Sequence, residues 1–329
     1  MDIARLFGTH RKWLLVGLVV FILAFVVTFP LYAVTYDVRV LTTVLMYVVM
    51  AVSWAMFSGT TGYMSLAPAA FLGVGIYSVA LLQNSLPFPL IILVGGLVAF
   101  AFALPVGLVT LRLKGIYFAI FTFGLVVFTS EIVQYLETKL WGKHGQAILP
   151  IDNQILLYVM LGLAVVTVLA VYFIRRSRYG LALTSIGGNE EAAEHMGVNT
   201  TMVKVLFFAV SAFFMGAAGV VTAPTLLYIN ANIAFSLFYS FMPILMAVFG
   251  GMAELYGPVV GAVVFGYLET TLRAQLHSYF MLGFGIILVL VILFLPNGIV
   301  GLVPTVQDKL RGLMQRIRKG GEAEQHANT

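Results

Sequence analysis

The sequence contains 329 residues, of which 61% are hydrophobic and 9% are charged, and its formal net charge is +5. Soluble globular proteins carry about 25% charged residues, so this composition excludes an ordinary soluble domain and predicts a chain solvated mainly by lipid. The absence of cysteine excludes disulfides, cysteine-ligated metals and thiol catalysis.

The first predicted membrane span covers residues 13–33 and follows a basic segment that contains Arg5, Arg11 and Lys12. A cleaved secretory signal has an apolar core of about 7–15 residues. Because this apolar run is longer, we interpret it as a retained span, with a cleaved signal as the alternative.

Further apolar segments follow along the chain, and a helical span needs about 20 mainly apolar residues. They predict an all-α membrane protein with about ten transmembrane helices in one domain, residues 1–302. The segment 63–82 is interrupted by Pro68, and 237–252 is short, so about eight full spans remain if both are re-entrant or broken. The further predicted spans are 40–58, 63–82, 88–111, 116–136, 155–174, 203–224, 237–252, 256–275 and 279–301.

The distribution of basic residues predicts the orientation of these spans. With ten spans and a cytoplasmic N-terminus, most of the 18 lysines and arginines fall in cytoplasmic segments. Such a bias is typical of membrane proteins, so we expect both termini to be cytoplasmic. The basic residues left on the outer side are Arg39, Lys139, Lys143 and Arg273.

The tail, residues 303–329, is expected to lie on the cytoplasmic membrane surface. Leu310, Leu313, Met314 and Ile317 share one helical face among basic residues, which is the pattern of an interfacial helix attracted to anionic lipid. The end of the tail is expected to be disordered.

A faint internal symmetry involves two Ala-Pro dipeptides. Ala67-Pro68 follows the second predicted span, and Ala223-Pro224 closes the seventh, which runs in the opposite direction. Inverted repeats with broken helices are common in transporters, so we consider an inverted repeat, with chance placement of proline as the alternative.

Motifs for catalysis and cofactor binding are absent from the sequence. It contains no phosphate-binding loop, no paired-histidine metal motif and no nucleophile elbow. We therefore predict a non-catalytic chain without a metal or cofactor of its own, and we expect no nucleic-acid partner.

The segment 175–204, which lies on the predicted cytoplasmic side, contains a short predicted helix. Asn189 is suited to cap its start, acidic residues in the first turn suit the helix dipole, and Gly197 is placed to end it. The small face of such a helix suits close approach by another protein, and a solvated helix that packs only on its own spans is the alternative. The residues of this candidate site are Asn189, Glu190, Glu191, Ala192, Ala193 and Gly197.

The run Glu191-Ala192-Ala193, followed by Gly197, resembles the EAA signature of ABC importer permeases. The wider sequence is similar to the LivM-type permeases of branched-chain amino acid importers. The stretches that carry this similarity are 62–77, 113–124, 177–197, 250–261 and 294–302. Where family members often have Gly-Gln-x-Ser-x-Gly-His, this chain has Gly62–Pro68, and the loop 138–152 lacks their Thr-Gly-Gly run, so a urea or short-chain amide permease is the alternative.

The resemblance implies the partners and the place of the chain. It implies a multi-pass subunit of the bacterial inner membrane, a second homologous permease and a periplasmic substrate-binding protein. It also implies two cytoplasmic ATP-binding subunits, which bind the ATP and magnesium and receive the helix of residues 189–197 in a groove.

The candidate translocation pathway comprises Ser65, Pro68, Tyr117 and Glu131. The first three lie on stretches that carry the resemblance, and a carboxylate within a span is costly and often functional. Glu131 and Glu269 could instead lie near the outer ends of their helices, exposed to water or, for Glu269, paired with Arg273. A proton-coupled secondary transporter that uses Glu131 or Glu269, and a membrane scaffold that moves nothing, are the rival functions.

Overall fold

A computed structural model describes residues 27–142, 145–252 and 254–276, together with the single residues 282, 285, 286 and 289. Most of the predicted first span 13–33, most of the predicted span 279–301 and the predicted tail 303–329 lie outside the described residues.

The described residues form helices joined by short turns, with one small β-ribbon. A short 3-10 helix covers Phe29–Leu31. The α-helices in chain order are α1 (Thr35–Thr61), α2 (Pro68–Leu82), α3 (Phe88–Thr110), α4 (Ile116–Trp141), α5 (Asn153–Arg176), α6 (Arg178–Gly188), α7 (Glu190–His195), α8 (Thr200–Leu226), α9 (Ala231–Ala234), α10 (Phe238–Gly250) and α11 (Tyr256–Leu276). The strands β1 (Gln146–Ala147) and β2 (Tyr228–Ile229) pair antiparallel, an element that the sequence analysis did not predict.

Within the described residues, six segments are long and apolar enough to cross a membrane. This confirms an all-α membrane protein, and the bounds of α3 and α5 lie within two residues of the predicted spans 88–111 and 155–174. The helix α2 has only 15 residues, and α11 is not among the six. The six segments are Thr35–Thr61, Phe88–Thr110, Ile116–Lys139, Asn153–Arg176, Thr200–Leu226 and Ala231–Gly250.

The helices α1 and α8 form the centre of the bundle. The most apolar windows of these two helices are 78% and 83% buried, whereas the window of α4 is only 28% buried. Around the centre, α8 packs against α2 and α3, and α1 packs against α5 and α11. The outer faces of α3, α4 and α5 are apolar and exposed in the isolated chain, as expected for helices that meet lipid.

Small residues allow close helix packing inside the chain. A side chain at Gly75 would collide with the carbonyl oxygen of Gly216, where α2 crosses α8, and one at Gly261 would collide with the carbonyl oxygen of Met246, where α11 meets α10. Helices in lipid associate through such small residues. Gly216 and Gly261 therefore serve packing within one chain.

The bundle has two chemically different ends. At the basic end, α1, α3 and α5 terminate and α8 begins, and the guanidinium of Arg175 donates to the carbonyl oxygen of Met252 (3.2 Å). At the opposite end, Arg39 donates to the side-chain oxygen of Asn153 (3.1 Å), and Gln83 donates to the carbonyl oxygen of Ala147 beside the β-ribbon (3.2 Å).

A non-helical segment, residues 62–67, separates α1 from α2. Gly62 ends α1 in the left-handed region with φ of 75°. Pro68 then occupies the first turn of α2, where its missing N–H is not needed. The predicted span 63–82 is therefore helical only from residue 68, which confirms that this span is irregular.

The two Ala-Pro dipeptides occupy different positions in their helices. Pro68 begins α2, whereas Pro224 lies inside α8, close to its end. The dipeptides therefore do not mark equivalent points of a repeat, and the inverted repeat remains a prediction.

Candidate coupling and translocation sites

The short helix predicted in segment 175–204 is present as α7. The side-chain oxygen of Asn189 accepts a hydrogen bond from the N–H of Ala192 (3.1 Å), as expected for an N-cap. Gly197 has φ of 85°, and its N–H donates to the carbonyl oxygen of Glu194 (2.9 Å) while that of Val198 donates to Ala193 (3.1 Å). This is the Schellman pattern, so the predicted start and end of the helix are confirmed.

The exposed face of α7 differs from the expected one. Ala193 is fully buried and packs toward the bundle, whereas Glu191, Ala192 and Met196 are exposed. The face available to another protein therefore includes Glu191, Ala192 and Met196, without Ala193. A second short helix, α6, precedes α7 and was not predicted.

A buried polar network attaches α7 to the bundle. The side chain of Lys204, only 3% exposed, donates to the Glu190 carboxylate. It also donates to the Tyr63 hydroxyl (3.2 Å) and to the carbonyl oxygen of Leu111 (3.4 Å). The Tyr63 hydroxyl donates in turn to the second oxygen of Glu190 (2.6 Å). Since a lysine ammonium has three donors, all of them are used.

The network favours the ionised form of Glu190. Partial burial acts to raise the pKa of Glu190, but the hydrogen bonds from Lys204 and Tyr63 and the charge of Lys204 outweigh it, so the pKa lies below its ordinary value. A second contact, from the Thr200 hydroxyl to the Glu194 carboxylate (2.5 Å), fixes the other end of α7.

The sequence analysis missed Lys204 and Tyr63 as site residues. Lys204 lies in an apolar span, where an unpaired cation is costly, so its position was a usable signal that a nearby acid would pair with it. Tyr63 carried no such signal, because its partner Glu190 is 127 residues away in the chain.

Ser65 and Pro68 lie inside the protein, where side chains hold the backbone of segment 62–67. The indole N–H of Trp54 donates to the carbonyl oxygen of Ser65 (2.8 Å). The Ser240 hydroxyl, at the start of α10, donates to the carbonyl oxygen of Leu66 (2.9 Å) and accepts from the N–H of Ala69 (3.1 Å). Non-helical backbone at membrane depth requires such partners.

Thr122 completes the support of this segment. Its hydroxyl accepts a hydrogen bond from the N–H of Leu66 (2.9 Å). Segment 62–67 is therefore held by side chains from α1, α4 and α10.

Glu131 lies on α4 and lines a cavity of about 660 Å³, here called the Glu131 cavity. The polar residues Ser130, Asn232 and Ser236 line this cavity beside apolar and aromatic residues. The aromatic lining residues are Phe235, Phe238 and Phe241.

The four predicted pathway residues do not form one cluster. Ser65 and Pro68 do not line the Glu131 cavity, and Tyr117, which is 70% exposed, lies at the start of α4. Only Glu131 therefore faces this cavity among the four.

Glu269 lines a separate cavity of about 440 Å³ at the end of the bundle opposite the basic end. Tyr47 and Tyr239 also line this cavity. The guanidinium Nε of Arg273 donates to the Glu269 carboxylate (2.7 Å), one helical turn away. The alternative that Glu269 pairs with Arg273 is therefore confirmed.

A bundle of apolar helices with interrupted segments inside it and a capped helix on a polar loop is typical of the membrane subunit of a transporter. Residues 37–292 match the family described as "Branched-chain amino acid transport system / permease component", and the chain belongs to this family. It is a multi-pass protein of the bacterial inner membrane, an ABC importer permease, and the family works with ATPase and binding-protein components.

Curated relatives agree with this assignment. The chain is 26% identical to the high-affinity branched-chain amino acid transport system permease protein LivM of Salmonella typhimurium, over 92% of this chain and 78% of the relative. It is also 26% identical to LivM of Escherichia coli, over 88% and 74%. The ribose import permease protein RbsC of Haemophilus influenzae is 27% identical over 41% of this chain and 43% of its own length. No solved structure matches the chain.

Proposed function

We propose that this chain is a passive gate whose conformation is set by partner ATPases. In this proposal, a second homologous permease completes the path, and a periplasmic binding protein delivers a branched-chain amino acid. Two cytoplasmic subunits bind ATP and magnesium. The observation that carries the proposal is α7, which is exposed on one face and firmly attached on the other.

The proposal places the basic end of the bundle in the cytoplasm. Arg112, Lys114, Arg175, Arg176 and Arg178 lie at this end, on or next to the helix termini, and basic residues favour the cytoplasmic side. The chain then crosses the membrane about ten times, with both termini inside and the tail 303–329 on the membrane surface.

The exposed residues of α7 are suited to docking. Ala192 lets a partner approach closely, and Met196 adds a flexible apolar contact. An ATPase that binds one conformation of the permease more tightly than another shifts the permease toward that conformation. The free energy of ATP binding and hydrolysis therefore reaches the membrane through this contact.

The Glu131 cavity provides a chemically suitable path for an amino acid. The carboxylate of Glu131 can pair with the substrate ammonium, and the aromatic residues Phe238 and Phe241 can contact an apolar side chain. An uncharged urea or amide lacks the ammonium. The parent should therefore prefer amino acids, and Glu131→Gln is expected to reduce transport of leucine.

The test is reconstitution of the full chain with its second permease, ATPases and binding protein. We expect leucine, isoleucine or valine to stimulate ATP hydrolysis and uptake, and we expect urea and acetamide not to do so. Ala192→Arg should abolish copurification of the ATPase and stimulated hydrolysis, whereas Thr201→Arg, exposed at the same end on α8, should preserve both. Uptake by this chain alone, driven by a proton gradient without nucleotide, contradicts the proposal.

A further inference from the structure

We propose that Tyr63, Glu190, Lys204 and Ser240 transmit the movement of α7 to the Glu131 cavity. This inference rests on the proposed function, because it assumes that α7 receives the ATPase. It assigns a positioning role to four residues that lie outside both the docking face and the cavity lining.

The first step is the ion pair itself, which is not the only interaction that shapes α7. Asn189 and Gly197 already provide the start and end of this helix. A buried ion pair is often no more stabilising than apolar residues of similar volume. The pair instead joins separate parts of the chain: Glu190 on α7, Lys204 on α8 and, through its hydroxyl, Tyr63 in segment 62–67.

The second step runs along segment 62–67. Tyr63 lies three residues before Leu66. The backbone between them is held at Ser65 by Trp54 and at Leu66 by Ser240. The ring of Tyr63 also packs edge to face against Phe118 of α4, with centroids 5.5 Å apart. A displacement of Tyr63 is therefore passed to Leu66 and to the helices that hold it.

The third step crosses to α10 through Ser240. Its hydroxyl bonds both to Leu66 and to the N–H of Ala69, so one side chain joins segment 62–67, α2 and α10. Ser240 is completely buried. A displacement of one of these three elements is therefore expected to move the other two.

The last step reaches the cavity. The residues around Ser240 in sequence include Ser236, Phe238 and Phe241, all of which line the Glu131 cavity. A rotation or shift of α10 at Ser240 therefore changes the cavity wall directly. The route from the ATPase contact to the cavity is thus α7, Tyr63, Leu66, Ser240 and the start of α10.

The natural absence of cysteine gives a specific reporter for this route. A single cysteine introduced as Ser236→Cys places one thiol in the cavity wall, and its labelling rate by a thiol reagent measures the accessibility of the cavity. The probe is used in the complete reconstituted complex, with and without ATP and with leucine-loaded binding protein.

We expect ATP to change the labelling rate of Ser236→Cys by about tenfold, in the range of coupling between two sites. Adding Tyr63→Phe or Ser240→Ala should remove most of this change and lower leucine uptake per ATP, while the ATPase still copurifies. Ser53→Ala is the matched control, because Ser53 is equally buried and its hydroxyl donates only to Val49 one turn earlier in α1. The control should behave as the parent.

A double variant tests whether Tyr63 and Ser240 act on the same route, since a pathway requires evidence of coupling. The loss in Tyr63→Phe with Ser240→Ala should be no greater than the larger single loss. If the losses of the two single variants instead multiply in the double variant, as expected for independent residues, the proposal is overturned. Unchanged uptake per ATP in both single variants would overturn it as well.

Two further outcomes separate this proposal from the function on which it rests. If ATP does not alter labelling of Ser236→Cys although the ATPase is bound and active, movement does not reach the cavity and the transmission route is wrong. If Tyr63→Phe releases the ATPase, the network only holds α7 in place, and the route is again wrong. Failure of the proposed function is recognised separately, by ATPase binding that survives Ala192→Arg.

Discussion

Among the described residues, two carboxylates are paired with cations, one at each end of the bundle, and they differ in what they join. Glu190 and Lys204 lie on different helices and, with Tyr63, connect elements far apart in sequence. Glu269 and Arg273 lie one turn apart on α11, and Arg273 is 53% exposed. The first pair holds the fold of the basic end together, whereas the second mainly neutralises a local charge.

The largest expected effect is that of Lys204→Met. This change leaves Glu190 partly buried without its cation, and breaking a buried ion pair by removing one partner costs about 3–5 kcal/mol. Thermal unfolding of the purified protein in detergent should show a clear loss of stability. Combining it with Glu190→Gln should restore part of that loss. The comparison fails if Lys204→Met unfolds at the same temperature as the parent.

Ser240→Ala should have the next largest effect. It removes the partner of the Leu66 carbonyl oxygen and of the Ala69 N–H, and each unsatisfied buried group costs about 1–3 kcal/mol. Ser53→Ala removes one bond within a helix and should cost less. The two variants are compared by thermal unfolding, and equal losses would show that Ser240 has no bridging role.

The contribution of Glu190 should depend on pH in a defined direction. Its folded-state pKa is lowered from the ordinary value of 4.5, so the stabilisation is fully present above that value and is lost as the pH falls through the folded-state pKa. The stability difference between the parent and Glu190→Gln should therefore be constant near neutral pH and shrink below about pH 4.5. A difference that grows on acidification contradicts the network.

Asn189→Ala should give the smallest loss of stability. Loss of an N-cap costs about 1 kcal/mol, and Asn199→Ala is a matched control because Asn199 caps α8 in the same way, accepting from the N–H of Met202 (3.0 Å). Both variants should unfold at similar temperatures. Only Asn189→Ala should weaken ATPase binding, measured by copurification, and equal weakening by both would argue against a specific role of α7.

Local features of the fold could be predicted from the sequence. The lengths of the apolar segments predicted the spans 88–111 and 155–174, whose ends lie within two residues of the ends of α3 and α5. The capping residues Asn189 and Gly197 predicted both ends of α7, because a cap makes its hydrogen bonds with residues close to it in the chain. The pairing of Glu269 with Arg273 could also be predicted, because residues four positions apart lie next to each other on a helix.

Features that depend on distant residues could not be predicted. Ser240 meets Leu66 across 174 residues of chain, and periodicity contains no information about such a contact. The burial of Ala193 was missed for the same reason, because the way α7 packs on the bundle decides which alanine faces inward. The pathway residues Ser65 and Pro68 were chosen for an irregular helix, and the irregularity proved to be supported by side chains of neighbouring helices.

The most direct test of the account is site-specific crosslinking at α7. In this cysteine-free chain, Ala192→Cys should crosslink to the ATPase subunit in the assembled complex and should resist a membrane-impermeant thiol reagent added outside intact cells. Leu149→Cys, exposed at the opposite end, should show the reverse behaviour. Labelling of Ala192→Cys from outside, or a crosslink from Leu149→Cys to the ATPase, would contradict the account.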